Sequence, residues 1–253
     1  MKKAGLFTCI LVLAAFPAFG FETVKNLTLS ADGLDKVDIN SGAGSLSVAG
    51  REGLAAVEVE ARIVVQGVSD KDMESYIKDH VELELRKSGG TAVLVSHIRD
   101  RGFFGFSRSA RIDLTVRVPK ALALAVDDGS GSIEVENIAA EVRIDDGSGG
   151  LRLSRIAGDV RIDDGSGGIR VEGVEGNLEV TDGSGEIEIR DVKGDVALDD
   201  GSGGVTVRGV GGSVTVDDGS GSLEIDDVGK DVVIKHKGSG SVDITNVKGK
   251  VVR

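Results

Sequence analysis

Cysteine is almost absent from this 253-residue chain: the only one, Cys9, sits inside an apolar run near the amino terminus. If that run is removed, the remainder has no thiolate nucleophile, no cysteine metal ligand and no disulfide. Histidine is nearly as scarce. His80, His97 and His236 are scattered, no pair has metal-ligand spacing, and they read as ordinary structural or exposed side chains. Tryptophan is missing, and the phenylalanines beyond Phe21 are confined to Phe103, Phe104 and Phe106. No apolar stretch after the first twenty residues approaches the length of a membrane helix. There is also no phosphate-cradling loop and no nucleophile elbow.

What is present begins with a targeting pattern. Lys2 and Lys3 precede "AGLFTCILVLAAFPAF", and Ala18-Phe19-Gly20 supplies small residues at the −3 and −1 positions. This predicts a cleaved signal over residues 1–20; a retained anchor is the alternative. Cys9 lies too early to be a lipidated cysteine. About 233 residues would remain, enough to bury a large core. The formal charge of −12 falls to −14 without the two lysines, and it is unevenly placed. Residues 21–120 hold 15 acidic and 14 basic side chains, against 27 and 14 in residues 121–253. Such a surface argues against nucleic acid and anionic lipid.

A repeat dominates the second half. The first glycines of successive Gly-Ser-Gly corners are Gly129, Gly147, Gly165, Gly183, Gly201, Gly219 and Gly238, spaced by 18 five times and then by 19. Strict periodicity of this length signals a solenoid. After Gly147 come Leu151, Leu153, Ile156, Val160 and Ile162, and after Gly201 come Val205, Val207, Val210, Val214 and Val216. Each unit therefore reads as two short strands with one inward face, joined by Gly-Ser-Gly at one corner and a looser bend at the other. Stacked at about 4.8 Å, the units give one continuous core. Outward positions place Glu134 beside Arg152 and Arg170 beside Glu188. The extra residue falls in Lys235–Lys237, which predicts a bulge.

The front is less regular. "VDINSGAGSLSVAG" (37–50) carries the same pattern, with Gly42-Ala43-Gly44 in the corner's place, and predicts the first coil. A β-rich cap should follow, with strands in "AAVEVEARIVVQG", "VELELRK" and "TAVLVSHI". It should contain one short helix in "SDKDMESYIKDH", started by Ser69. The expected organisation is 1–20 signal, 21–126 first coil and α+β cap, and 127–253 regular repeats continuous with the cap as one domain. Arg101, Phe103, Phe104, Phe106 and Arg108 form a candidate partner-binding segment for a protein or membrane surface. Packing of these rings back against the core is the reading that comes before it, and contact with nucleic acid comes last.

Each corner also carries acids. The second of each pair gives Asp128, Asp146, Asp164, Asp182, Asp200 and Asp218; the first gives Asp127, Asp145, Asp163, Asp199 and Asp217, with Thr181 interrupting. Stacking brings like charges together, so the column needs compensation. Hydrogen bonds from the backbone of the same turn would supply it. Calcium is the second reading, with those six aspartates as candidate metal ligands. The spacing matches neither a nine-residue calcium roll nor a twelve-residue helix-loop-helix loop. A carbohydrate-active β-helix enzyme is a third reading, but nothing distinguishes one copy as acid and another as base.

Taken together, "DDGSGGIRVEGVEGNLEVTDGSGEIEI" and its neighbours resemble a large bacterial family of unknown function whose members are described as candidate adhesins. The resemblance covers roughly residues 35–252. It implies a secreted or cell-envelope, all-β, single-stranded β-helix with about 18 residues per coil. It brings no cofactor and no binding residues. Against that family pattern, no membrane segment is evident after the signal and no surface-sorting tail is seen, which favours a periplasmic or released protein. The expected function is non-enzymatic, a structural or adhesin-like binding module. Its partner would be an unknown protein or cell-surface glycan.

Overall fold

Parallel pairing at a separation of 18 residues organises the chain. The structure, a computed structural model, describes residues 12–13, 21–66, 72–99 and 110–253. Apart from Val12 and Leu13, the signal reading over residues 1–20 lies outside the described residues. So does the candidate segment from Arg101 through Phe103, Phe104 and Phe106 to Arg108.

Each regular coil has a long strand and a short one. The long strands β10 (Gly149–Ile156), β12 (Gly167–Val174), β14 (Gly185–Val192) and β16 (Gly203–Val210) stack in one column. The short strands β9 (Val142–Asp146), β11 (Val160–Asp164), β13 (Leu178–Asp182) and β15 (Val196–Asp200) form the other. β8 (Ala123–Glu136) and β17 (Val214–Val228) run through the corner and serve both stacks. Like residues lie on like: Leu151 on Ile169, Leu153 on Val171, Val160 on Leu178, Ile162 on Val180. All are at most 2% exposed. Burying such a side chain stabilises by roughly 1.5–3 kcal/mol, and repetition makes the core continuous.

Two devices turn the chain. At the Gly-Ser-Gly corner the second glycine has no room for a side chain. A Cβ on Gly149 (φ 145°) would lie 1.6 Å from the Gly131 carbonyl oxygen of the preceding coil. At the opposite bend, Asn137, Arg155, Gly173, Asp191, Gly209, Asp227 and Asn246 share one position, with φ between 52° and 75°. Just beyond it, the Asn177 N–H donates to Asp159 Oδ1 at 2.7 Å, Asp195 N–H to Asn177 Oδ1 at 3.0 Å, and Ser213 N–H to Asp195 Oδ1 at 2.8 Å. The bend thus satisfies backbone groups of the next coil with side chains.

The first coil is as the glycine pattern anticipates. In β3 (Lys36–Arg51), Ala43 pairs with Ser130, Gly44 with Gly131 and Leu46 with Ile133 of β8. The cap builds on β3. β6 (Thr91–Ile98) and β7 (Ala110–Pro119) pair parallel with it. β4 (Ala56–Val65) joins antiparallel to both β7 and β2 (Phe21–Ser30). β5 (Val81–Ser88) makes a hairpin with β6, and β1 (Val12–Leu13) pairs with Thr23 and Val24. The helix, α1 (Met73–His80), starts later than the capping pattern suggests. Asp72 holds the N-cap position without a side-chain cap, and Ser69 lies outside the described residues. Tyr76 is buried and its ring lies 4.6 Å from that of His80.

The outer charges follow the expectation in part. Arg170 pairs with Glu188 and Arg161 with Glu179. Glu134 and Arg152 are register partners without an ion pair; Arg155 reaches Glu136 instead, at 2.5 Å. Beyond β17, the chain continues as β18 (Val232–Ser239), β19 (Val242–Val247) and β20 (Val251–Val252). The bulge is present in β18: Val216 faces Ile234, but Asp217 faces His236 and Asp218 faces Lys237.

Candidate functional site: a buried aspartate column

The short strand alternates strictly. In "VRIDD" the residues at 142, 144 and 146 point inward, and those at 143 and 145 outward. The same period carries the second acid of every corner into the protein. Asp128, Asp146, Asp164, Asp182, Asp200 and Asp218 are only 0–5% exposed. They stack in register, Asp146 between Asp128 and Asp164, and Asp200 between Asp182 and Asp218. Of the first acids, Asp127, Asp145, Asp163 and Asp199 are exposed and Asp217 is half-buried.

One oxygen of a typical member is held by its own turn. The N–H of Ser148 donates to Asp146 Oδ1 at 3.3 Å, that of Ser166 to Asp164 Oδ1 at 3.2 Å, and that of Ser184 to Asp182 Oδ1 at 3.1 Å. This is the compensation that the turn chemistry predicts. The other oxygen lacks it: Oδ2 of Asp128, Asp146, Asp164, Asp182 and Asp200 is buried with no hydrogen-bond partner. Burial first, and the neighbouring carboxylates second, push Asp146, Asp164 and Asp200 up to about 6. Burial also raises Asp128 and Asp182, against the hydrogen bonds that they accept. Fully ionised neighbours at about 4.8 Å would repel by roughly 3 kcal/mol per pair at an effective dielectric of 20.

Donors close both ends. Ser41, which occupies the column position in the first coil, donates its hydroxyl to Asp128 Oδ1 at 2.5 Å. At the far end Lys237 Nζ lies 3.2 Å from Asp218 Oδ2, with its side chain 12% exposed. It also donates to the carbonyls of Gly221 and Ser239. The nineteenth residue of that coil is what brings lysine into this register. The column therefore runs from a serine, through six aspartates, to a lysine.

The chemistry open to such a column is limited by access. Glycoside hydrolysis requires two unequal carboxyl groups flanking a substrate. These six are equivalent by position and sealed from solvent. Calcium takes six to eight oxygens, and no group of three or more His, Cys, Asp or Glu side chains poised for a metal occurs among the described residues. The histidines stay apart: His97 contacts Asn40, His80 Nδ1 lies 3.3 Å from the Arg99 carbonyl oxygen, and His236 is exposed. No helix among the described residues is long and apolar enough to cross a membrane.

The sequence carried a signal for this burial. Val142-x-Ile144-x-Asp146 continues the inward alternation onto the aspartate. Residue type argued the other way, since isolated carboxylates are rarely buried.

Comparison with known proteins places the chain. A family model described as "Toastrack DUF4097" matches residues 15–251. No curated protein matches. Among solved structures, a candidate adhesin from Bacteroides fragilis is 14% identical, with 90% of this chain and 95% of that one covered and a TM-score of 0.45. A candidate adhesin from Parabacteroides distasonis is 16% identical, with the same coverage and TM-score. A candidate lipid-binding protein from the same species is 13% identical over 92% of this chain and 97% of that one, with a TM-score of 0.40.

Proposed function

Because the chain belongs to the toastrack DUF4097 family, we propose that it is an exported, non-enzymatic β-solenoid that works as a structural or binding module in the bacterial periplasm or outside the cell. The observation that carries this reading is the placement of its chemistry. The repeated acids that could react are sealed in the core, whereas the groups that meet solvent are strand ladders such as Arg161–Glu179 and Arg170–Glu188. Ladders of this kind suit extended, shallow contact with a protein or a cell-surface glycan.

The segment with Arg101, Phe103, Phe104, Phe106 and Arg108 is the contact point that we propose within this reading. Its support is compositional: three aromatic rings among arginines in an otherwise aromatic-poor, acidic chain. Binding of the purified protein to intact envelopes of the producing cells, and to glycans released from them, tests both statements. Saturable binding, lost when the three phenylalanines become serine without loss of folding, is expected. Absence of saturable binding to either material would count against a binding role.

A further inference from the structure

We propose that the six buried aspartates are a single proton-binding chain. In it the carboxyl O–H of each residue from Asp128 to Asp200 donates to the next, and Asp218 is the carboxylate on which the chain ends.

The column is short of donors. Along the column, Oδ2 of five successive aspartates faces a buried interior with no N–H or O–H to meet it. Ionised carboxylates only accept, so an all-ionised column cannot satisfy itself. A protonated carboxyl brings the missing hydrogen. Strand spacing of about 4.8 Å, less the width of a carboxyl group, leaves an O···O gap near the 2.5–2.7 Å of an O–H···O⁻ bond. That gap is too small for a bridging water.

The ends set the direction. Ser41 donates into Asp128, so Asp128 can pass its own proton only onward, to Asp146. Lys237 also only donates, so the last aspartate must accept from both sides. That member is Asp218, the one beside a cation. Such a chain is polar from one end to the other, and its single negative charge is paired with Lys237.

The acidic groups around the column all push the same way. Asp127, Asp145, Asp163 and Asp199 stand beside it on the short strands and disfavour further ionisation, as do the column neighbours themselves. Asp217 precedes Asp218 in the same position. Thr181 leaves one place uncharged. Among the described residues Lys237 is the lone cation at the column, and it acts at one end. The serines of the corners add backbone N–H groups to Oδ1 but leave Oδ2 free. This inference does not depend on the surface-binding reading, and either can fail alone.

The test is a ¹³C NMR titration of aspartate side-chain carboxyls in the full folded protein from pH 4 to 8, with single Asp→Asn variants used for assignment. The expected result is a set of five carboxyls, from Asp128 to Asp200, that hold protons well above the ordinary aspartate range. Lys237→Met should then perturb the chain at its Asp218 end and leave Asp146 unchanged. Titration of all six together in the ordinary range would overturn the proposal. So would displacement of these resonances by millimolar Ca²⁺ alone, since a cation would then hold the place assigned to protons.

Discussion

Lys237 Nζ lies 3.2 Å from Asp218 Oδ2, and the contact exists because its coil is one residue longer than the others. The bulge shifts register between Val216 and Asp217 and places a lysine where the six preceding coils have an aspartate. Without it, the last buried carboxylate would face no cation. Removing one partner of a buried ion pair typically costs about 3–5 kcal/mol. Lys237→Met should therefore lower stability at neutral pH by about that much, and the double variant with Asp218→Asn should recover most of it. Urea unfolding of both proteins checks this; equal losses in the single and double variants would disconnect the two residues.

Gly149 carries the second prediction. Its missing Cβ would stand 1.6 Å from the Gly131 carbonyl oxygen, a backbone atom that cannot move aside without shifting a coil. Gly149→Ala should destabilise by more than the about 1–2 kcal/mol that left-handed backbone alone imposes. Gly150, one residue on, has nothing within 4 Å of its Cβ position. Gly150→Ala should leave the thermal midpoint nearly unchanged and serves as the control.

The opposite bend makes the reverse prediction. Asp191 holds φ 57° at a position that Gly173 and Gly209 fill in the adjacent coils. Asp191→Gly should relieve up to about 1 kcal/mol of backbone strain, part of it offset by the greater freedom of glycine in the unfolded chain. A small rise in melting temperature, about 2–4 °C per kcal/mol for a chain of this size, is the expected reading.

Calcium should have little to act on. The six aspartates are 0–5% exposed, and Oδ1 of Asp146, Asp164 and Asp182 already accepts a backbone N–H. Melting midpoints in chelator, in millimolar Ca²⁺ and in millimolar Mg²⁺ are expected to agree. A rise specific to calcium would mean that the native state binds it.

The solenoid was legible because each coil repeats the same local chemistry. The 18-residue spacing of Gly147, Gly165 and Gly183 gives the period, Leu151 and Leu153 give the inward face, and Gly42-Ala43-Gly44 marks the first coil. Two features were harder to read. Asp146 lies in register with Val142 and Ile144, but a carboxylate at a corner ordinarily turns to water, and only the structure places it inside. Lys237 could be located in the bulge but not on the column, because its register depends on which of Lys235, His236 and Lys237 is skipped. The pairing of β4 with both β2 and β7 depends on contacts between distant strands, which alternation alone does not specify.

The most direct test of the buried column is the pH dependence of stability for the wild type against Asp164→Asn. The folded-state value of about 6 for Asp164 lies above its ordinary 3.8. The native state therefore binds more protons between these values, and stability from this group is fully present below about pH 4 and lost as pH rises through about 6. The difference corresponds to roughly 3 kcal/mol. An asparagine amide can donate and accept in the same column without ionising. The two proteins should be about equally stable near pH 4, and the variant should gain on the wild type through pH 6 to a plateau of up to about 3 kcal/mol at pH 8. A variant that is less stable than the wild type at pH 8, or a difference that does not change with pH, would contradict a column of buried, proton-holding aspartates.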